Sequence, residues 1–215
     1  MEILSFKELP STQRYLQEKI SNGILSTPVA VIAEEQTAGI GSRDNAWEGG
    51  KGNFFASIAV PIAQLPHDLP LPSASIYFAF MMKKVLNTLD QKIWLKWPND
   101  FYLDDQKIGG VITHKIDQIV ICGIGINLKK SQNGYSALQC DISPETLLQT
   151  YLFALEKFPK WKQIFSEYKI EFELSRRYST HMNTDQNGAK ICLADAQLCE
   201  DGSVQIKGRR VYSLR

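Results

Sequence analysis

A lysine, an aspartate and a pair of glycines lie close together in the stretch KWPNDFYLDDQKIGGVI, residues 96–112. Lys107 precedes the glycine pair 109–110 on a segment whose apolar residues predict a core strand. A lysine in such a place is costly unless an anion meets it. It could also reach the surface or pair with the acidic turn 104–105. Its position between a glycine-rich patch and Asp100 favours a carboxylate or a phosphate as the anion.

A second set of glycines alternates along ICGIGIN, residues 121–127. Gly123 and Gly125 leave one face of the expected strand bare at two successive positions. Glycine inside a strand commonly marks a close approach by a ligand or by another backbone. The pair 109–110 belongs to the neighbouring segment, so the bare patch is expected to extend over both strands. Close packing of two backbones without a ligand is the alternative that this pattern leaves open.

The loop QTAGIGSRDNAWEGGKGN, residues 36–53, holds five glycines and Trp47. Glycines in a loop after a strand let backbone N–H groups approach an anionic ligand. The loop lacks the G-K-[ST] of a P-loop and does not fit the dinucleotide fingerprint G-x-G-x-x-G. A surface loop whose Trp47 packs on a sheet is the alternative interpretation.

The elements that must position these residues begin with a helix. Pro-Ser-Thr at 10–12 predicts its start, because Ser and Thr cap exposed N–H groups, and Asn-Gly at 22–23 predicts its end. Helical spacing of apolar residues predicts a second helix over 73–89. Apolar, β-branched content predicts strands at 29–36, 53–61, 93–98, 107–115 and 118–128, the last two joined by a turn at 115–117.

The pattern changes after Pro144. Apolar residues predict two more helices, one around 147–155 and one around 161–168. From about residue 179 the chain consists of short strand-like pieces, with a hairpin signal at Asp-Gly, 201–202. We therefore predict an α+β domain over residues 1–178 and a small β domain over residues 179–215.

Composition argues against several classes of partner. The 24 Lys and Arg against 23 Asp and Glu give a net charge of +1, which indicates neither a nucleic-acid nor a membrane surface. The N-terminal MEILSFKELPS is too short and charged for a signal peptide. No apolar run approaches the roughly 18 residues of a membrane span. The histidines are scattered and the cysteines lack C-x-x-C spacing, so we expect no metal site and reduced thiols in a cytoplasmic protein.

Together these motifs resemble the biotin protein ligases. The resemblance rests on Ser11-Thr12, on E-x-Q-x-x-G-x-G through to a Trp (34–47), and on KWPND, KIGG and GIGIN in this order and spacing. It implies an α+β catalytic domain with a mixed sheet flanked by helices, of the class II aminoacyl-tRNA-synthetase and biotin-ligase type. It also implies a small SH3-like β domain at the C-terminus. Regulatory members add an N-terminal DNA-binding domain, and about ten residues before Ser11 suggest the short form.

The resemblance implies a reaction in two steps. The carboxylate of biotin attacks the α-phosphate of Mg²⁺-ATP, giving biotinyl-5′-AMP and pyrophosphate. A lysine of a biotin carboxyl carrier protein or domain then attacks the mixed anhydride. ATP and Mg²⁺ are the implied cofactors, and a monomer or weak homodimer without nucleic acid or membrane is expected.

The resemblance also assigns site residues. Lys107 would serve the biotin carboxylate and the α-phosphate, and Asp100 would lie where the acceptor lysine enters. The implied biotin-binding residues are Ser11, Thr12, Gln13, Gln36, Gly39, Ile40, Gly41, Lys107, Gly110, Ile112, Gly123 and Ile126. The implied ATP- and adenylate-binding residues are Ser42, Arg43, Trp47, Asn99, Lys107 and Asn127.

The sequence departs from the family in one loop. The family commonly has G-[RK]-G-R-x-G-R-x-W, whereas GIGSRDNAW (39–47) keeps only Arg43 among the cations. Gly39, Gly41 and Trp47 are kept, whereas Asp44 replaces the third glycine of the pattern. A lipoate or octanoate transferase of the same superfamily is the alternative function. It would lack the Ser-Thr and Gln set, and the octanoyl type would need a cysteine nucleophile. Cys122 is the thiol nearest a motif, and we expect it to face away from the glycines.

Overall fold

The structure, a computed structural model, describes seven stretches of the chain. They are residues 1–41, 46–47, 50–89, 92–129, 136–138, 140–181 and 190–212. Within them the chain forms four α-helices and fourteen short or long strands. The helices are α1 (Thr12–Ser21), α2 (Ala74–Asn87), α3 (Pro144–Leu155) and α4 (Trp161–Ser175).

The strands of the first part of the chain build one large sheet and one small hairpin. They are β1 (Glu2–Leu9), β2 (Val29–Gln36), β3 (Gly39–Ile40), β4 (Ala46–Trp47), β5 (Phe54–Pro61), β6 (Ile93–Lys96), β7 (Asp100–Leu103), β8 (Gln106–Ile116) and β9 (Ile119–Ile126). The large sheet has the order β1-β2-β5-β9-β8-β7-β6, and β3 pairs with β4. Only β1 and β2 run parallel, and the other neighbours are antiparallel. The expected mixed sheet is confirmed.

The two faces of this sheet are covered differently. Alternate strand residues point to opposite faces, so Ile32 of β2 enters the core beneath α2, α3 and α4, while Val31 packs against α1. Helix α2 is buried along nearly its whole length, because it lies between the sheet and the other two helices. On the opposite face of the sheet, helix α1 covers only the part formed by β2, β5 and β9. The remaining part of that face is available for a site.

The C-terminal strands form a small antiparallel unit. They are β10 (Ser179–His181), β11 (Lys190–Cys192), β12 (Gln197–Leu198), β13 (Val204–Ile206) and β14 (Arg209–Val211). The β12–β13 turn packs against the larger domain, because Trp97 and Trp161 donate their indole N–H groups to the carbonyls of Gly202 and Glu200, each at 2.9 Å. Gly202 has φ +81°, and a Cβ there would come 2.6 Å from Ser73 Oγ. The predicted hairpin and small β domain agree with this arrangement.

Two strands of the sheet escaped prediction. β1 carries charged or exposed residues at most positions and pairs on one side only, so its apolar pattern is weak. β7 has four residues directly after a Trp-Pro turn, and the sequence there favoured an acidic turn. The β8–β9 turn lies at residues 117–118, slightly later than predicted. No helix of the described residues is long and apolar enough to cross a membrane.

Candidate active site

A cavity of about 320 Å³ opens on the part of the sheet that α1 leaves uncovered. Its volume is in the range of small-molecule sites. The floor is the face of β8 and β9, one end is the start of α1, and the β3–β4 hairpin forms a side wall. The predicted glycine patch, helix start and glycine-rich loop therefore meet at one place.

Glycines make the floor of this cavity flat. In the β8–β9 register Gly110 lies opposite Gly125, and Ile112 lies opposite Gly123. A Cβ at Gly123 would lie 2.6 Å from Gln13 Oε1, and one at Gly125 would lie 2.7 Å from the indole of Trp47. Both contacts are closer than a real Cβ permits, so these side chains reach the bare backbone only because glycine is there.

The start of α1 presents a linked set of polar groups. Ser11 caps the helix by accepting from the N–H of Arg14. The Oε1 of Gln36 accepts from both the backbone N–H and the hydroxyl of Thr12, at 2.8 and 3.1 Å. The Thr12 hydroxyl also lies 2.8 Å from that of Ser57. These bonds fix the donors and acceptors at this end before any ligand enters.

Two polar atoms beside the cavity have no partner among the described residues. They are Gln13 Oε1, an acceptor near α1, and Trp47 Nε1, a donor near the hairpin, and both are buried. Leaving a buried polar group unsatisfied costs about 1–3 kcal/mol. A ligand that donates at the α1 end and accepts near the indole would remove both costs.

The opposite end of the cavity is charged. Lys107 Nζ lies 2.7 Å from Asp100 Oδ1, and Lys96 Nζ lies 3.8 Å from Asp100 Oδ2. The side chain of Lys107 is 41% exposed, and its Nζ lies 5.9 Å from the centre of the Trp47 ring. A partly exposed ammonium at a cavity mouth can meet an incoming anion without a large desolvation cost. Lys107 pairs with Asp100 rather than with the turn 104–105.

Tyrosines near this charged end stay neutral. Burial, the charge of Asp100 and Tyr178 raise the pKa of Tyr102 to about 12. The charge next to the cavity mouth therefore comes from the lysines and Asp100.

Two asparagines line the same end. Asn99 is buried, and its side-chain amide N–H donates to the backbone carbonyl of Val111. The backbone carbonyl of Asn99 accepts in turn from the N–H of Val111 at 3.1 Å. The amide of Asn127 donates to the carbonyl of Ser136 at 3.3 Å. Both side-chain N–H groups therefore hold backbone segments in place.

The structure places most of the predicted residues around this cavity. Those that line it from α1, β2 and the glycine-rich loop are Ser11, Thr12, Gln13, Gln36, Ile40 and Gly41. Those that line it from the other strands are Asp100, Lys107, Gly110, Ile112 and Gly123. Trp47, Asn99 and Asn127 line it as well.

Two predicted residues lie elsewhere. The prediction that Ile126 forms an apolar wall is wrong, because Ile126 points to the opposite face and is fully buried beneath the helices. Gly39 does not line the cavity; it lies opposite Trp47 in the β3–β4 pair, where a Cβ would come 2.6 Å from the Trp47 carbonyl. Ser42 and Arg43 lie outside the described residues.

Ser57 is a cavity residue that the sequence analysis missed. It lies opposite Gly123 in the β5–β9 register and is completely buried. A lone hydroxyl in the apolar strand FFASIAVP was the available signal. Cys122, as expected, faces the helical core, where burial raises the pKa of its thiol well above the ordinary value. It cannot reach the cavity as a nucleophile.

The chain belongs to the Biotin/lipoate A/B protein ligase family, whose pattern matches residues 5–130. Within this family the structure resembles biotin protein ligases. The Helicobacter pylori biotin acetyl coenzyme A carboxylase synthetase, solved with bound biotinylated ATP, is 40% identical, with a TM-score of 0.93 over 98% of this chain and 99% of that one. The Aquifex aeolicus biotin protein ligase, in complex with biotin and ATP, is 20% identical with a TM-score of 0.74, over 100% and 96% of the two chains, and shows the shared fold.

Curated relatives match over a shorter part of their length. The bifunctional ligase/repressor BirA of Escherichia coli is 37% identical over 128 residues, which are 56% of this chain and 38% of BirA. Biotin–protein ligase 2 of Arabidopsis thaliana is 28% identical over 187 residues, 78% of this chain and 56% of that protein. The chain thus spans between about two fifths and just over half of these two relatives.

Proposed function

We propose that this protein joins biotin to a specific lysine of a biotin carboxyl carrier domain, through biotinyl-5′-AMP and at the expense of ATP. The observation that carries the proposal is the polarity of the cavity. One end offers fixed hydrogen-bonding groups with the unpaired Gln13 Oε1, and the other end carries Lys107. Biotin has the matching form, with a ureido group at one end and a carboxylate at the other.

Biotin would lie along the glycine floor. Its ureido N–H groups would reach Gln13 Oε1 and the Ser11 and Thr12 set, and its apolar chain would pass between Ile112 and the backbone of Gly123. The carboxylate would then arrive beside Lys107. ATP would enter from the side of Trp47, whose indole offers a flat surface next to this lysine.

In the first step a carboxylate oxygen of biotin forms a bond to the α-phosphorus of ATP, and the bond to pyrophosphate breaks. Negative charge grows on the α-phosphoryl oxygens in the transition state. A fixed cation aimed at such oxygens lowers the barrier. We assign this role to Lys107.

In the second step the acceptor lysine must lose a proton before its amine can react. Its reference pKa of about 10.4 makes the neutral amine scarce near pH 7. We propose that Asp100 orients the ammonium and takes one proton. The amine then attacks the biotinyl carbonyl carbon, the C–O bond to phosphate breaks, AMP leaves, and the second amine proton is released as the amide forms.

Mg²⁺ would enter as part of the substrate. The ion usually keeps several waters and is bound by substrate phosphates with one or two carboxylates. Asp100 is the carboxylate among the described residues that line the cavity. No cluster of three or more His, Cys, Asp or Glu occurs in the described ranges. This donor set fits an ion that arrives on ATP and is held mainly by the phosphates and water.

The partner we propose is therefore a carrier domain with an exposed lysine, met in the cytoplasm by a monomer or weak homodimer. No nucleic acid or membrane is assigned a part. The test is to incubate the protein with biotin, Mg²⁺-ATP and a carrier domain, and to follow biotin on the carrier by mass spectrometry. Transfer of biotin is expected. Transfer of lipoate but not of biotin, under the same conditions, would contradict the proposal.

A further inference from the structure

Asp100 lies between two lysines, and only one of them belongs to the cavity. Lys107 lines the cavity and holds Asp100 Oδ1 at 2.7 Å. Lys96 lies directly opposite Asp100 in the β6–β7 register, and its Nζ is 3.8 Å from Oδ2. Lys96 is not one of the cavity-lining residues. Its ion pair with Asp100 links it to the proposed chemistry.

The proposed function creates a conflict at Lys107. Its ammonium serves Asp100 in the free protein, but it must also serve the biotin carboxylate and then the phosphate of the adenylate. Asp100 and the substrate anion then share the ammonium of Lys107, and each anion weakens the attraction between Lys107 and the other. Asp100 would lose its fixed orientation just before it is needed for the acceptor lysine.

Lys96 is built to relieve this conflict. Its side chain is only 15% exposed, and its Nζ lies 5.7 Å from the ring of Tyr102 and 6.0 Å from that of Tyr178. Aromatic faces attract an ammonium and hold it in place. A half-buried, restrained lysine acts on a carboxylate more strongly than a mobile surface lysine does.

The groups that face Asp100 from the packed elements are few. Within the described part of the chain they are Lys96 from β6, Tyr102 from β7, Lys107 from β8 and Tyr168 from α4. Burial raises the pKa of both tyrosines, so neither carries charge near pH 7. Lys96 is thus the cation that remains for Asp100 once Lys107 turns to the substrate.

We propose that Lys96 is a positioning residue for the transfer step. When Lys107 engages the adenylate, Lys96 takes over the Asp100 carboxylate and keeps it oriented toward the acceptor lysine. This inference rests on the proposed function and assigns Lys96 no part in adenylate formation. Its effect should therefore be confined to the second half-reaction.

The test separates the two half-reactions in Lys96→Met, which keeps the length and apolar character of the side chain. Pyrophosphate release from biotin and ATP measures the first step, and single-turnover transfer from preformed biotinyl-5′-AMP measures the second. We expect transfer to slow about tenfold relative to adenylation in the same preparation. The ratio of the two rates is insensitive to any unfolded fraction.

Two further variants complete the design. Lys96→Arg keeps the cation and is expected to restore the transfer rate. Lys84→Met is the matched control, because Lys84 also pairs with a carboxylate (Glu167, 2.8 Å) near an aromatic ring but lies away from the cavity. It should leave both steps unchanged.

Three outcomes would overturn the inference: equal slowing of both steps in Lys96→Met, unchanged transfer in that variant, or failure of Lys96→Arg to restore the rate. Failure of the proposed function looks different, because the wild-type protein itself would then form no biotinyl-5′-AMP.

Discussion

Two lysine–carboxylate pairs lie on opposite faces of the same sheet. Lys107 and Asp100 stand 2.7 Å apart at the cavity mouth, with side chains 41% and 22% exposed. Lys83 and Glu171 join α2 to α4 at 3.0 Å, with side chains 16% and 11% exposed. Their lengths are similar, but only the first pair faces a cavity. The position of the pair, rather than its geometry, therefore distinguishes a lysine that can contact a ligand from a lysine that holds two helices together.

The electrostatics of the buried pair support this distinction. Burial raises the pKa of Glu171, and the neighbouring Lys83 only partly opposes the rise. The second carboxylate oxygen of Glu171, Oε2, has no hydrogen-bond partner among the described residues. Breaking such a pair leaves an uncompensated charge inside the protein, so removal of either partner should cost stability. If Lys107 is removed at the cavity mouth, by contrast, solvent and a second lysine, Lys96, can still stabilise the charge of Asp100.

The largest effect is expected from Lys107→Ala. If Lys107 stabilises the α-phosphate as proposed, its loss should slow adenylate formation by about 10²–10³, or roughly 3–4 kcal/mol in the barrier. Biotin-dependent pyrophosphate release, without any carrier, measures this step. Lys115→Ala is the matched control, since Lys115 is exposed on the same strand. If Lys107→Ala instead lowers the melting temperature so far that unfolding accounts for the lost rate, Lys107 is a structural residue.

The reverse outcome is expected from Lys83→Met. Without its cation, Glu171 is left charged and largely buried, and the free energy of unfolding should fall by about 2–3 kcal/mol at pH 7. Urea unfolding measures the change, and both half-reactions of the remaining folded protein should keep their rates. Lys84→Met, which breaks an exposed pair, should change stability by less than about 1 kcal/mol.

The same variant makes a prediction about pH. The folded-state pKa of Glu171 lies above its ordinary value of 4.5 and should rise further without Lys83. Below 4.5 the carboxyl is protonated in both the folded and the unfolded chain, so the loss should be smallest there. It should grow as pH rises through the folded-state pKa. A loss that does not depend on pH would point to packing rather than charge.

A smaller effect is expected from Trp47→Ala at the cavity. Trp47 lies on bare backbone at Gly125 and is half-buried. We therefore expect its ring to add area for adenine rather than for the core. Stacking on a base is worth about 1–3 kcal/mol. The ATP concentration for half-maximal adenylation should rise accordingly while the melting temperature stays nearly constant. Trp47→Phe should recover part of the loss; a destabilised protein with unchanged ATP dependence would favour the packing interpretation instead.

The smallest effect is expected from Asp68→Ala, on the structural side of the comparison. Asp68 accepts from the N–H groups of Trp161 and Lys162 at the start of α4. Burial works against its charge, but these bonds outweigh it and lower the pKa of Asp68. Removing such a cap costs about 1 kcal/mol. The difference should be present above the ordinary value of 3.8 and disappear as pH falls through the lower folded-state pKa; a difference that persists there would contradict this role.

The sequence predicted the residues that line the cavity better than the contacts that surround them. Glycine spacing and a lone lysine are local signals, and the register of β8 and β9 places Gly110, Gly123 and Lys107 together as expected. The error at Ile126 has a simple cause. Strand alternation puts it on the face opposite to Gly125, and the family resemblance alone had placed it in the wall.

Other features depend on how strands and helices pair in the folded chain. The contact of Lys96 with Asp100 requires the β6–β7 hairpin, and β7 was missed because its four residues follow Trp-Pro and precede an acidic turn. Ser57 enters the cavity only because β5 lies opposite Gly123. Lys83 and Glu171 join two helices, and these two residues lie 88 positions apart along the chain (171 − 83). None of these has a local signature.

The most direct test of the account is Asp100→Asn, assayed in each half-reaction alone. The substitution keeps the shape of the side chain but removes the charge that pairs with Lys107. In the proposed mechanism this charge takes the proton of the acceptor lysine. We predict that biotin and ATP still give pyrophosphate at most of the wild-type rate, while transfer of preformed biotinyl-5′-AMP to the carrier slows by about a hundredfold or more. If adenylate formation instead stops as completely as in Lys107→Ala, the division of work between the two residues is wrong, and Asp100 serves Mg²⁺ or the Trp-Pro turn.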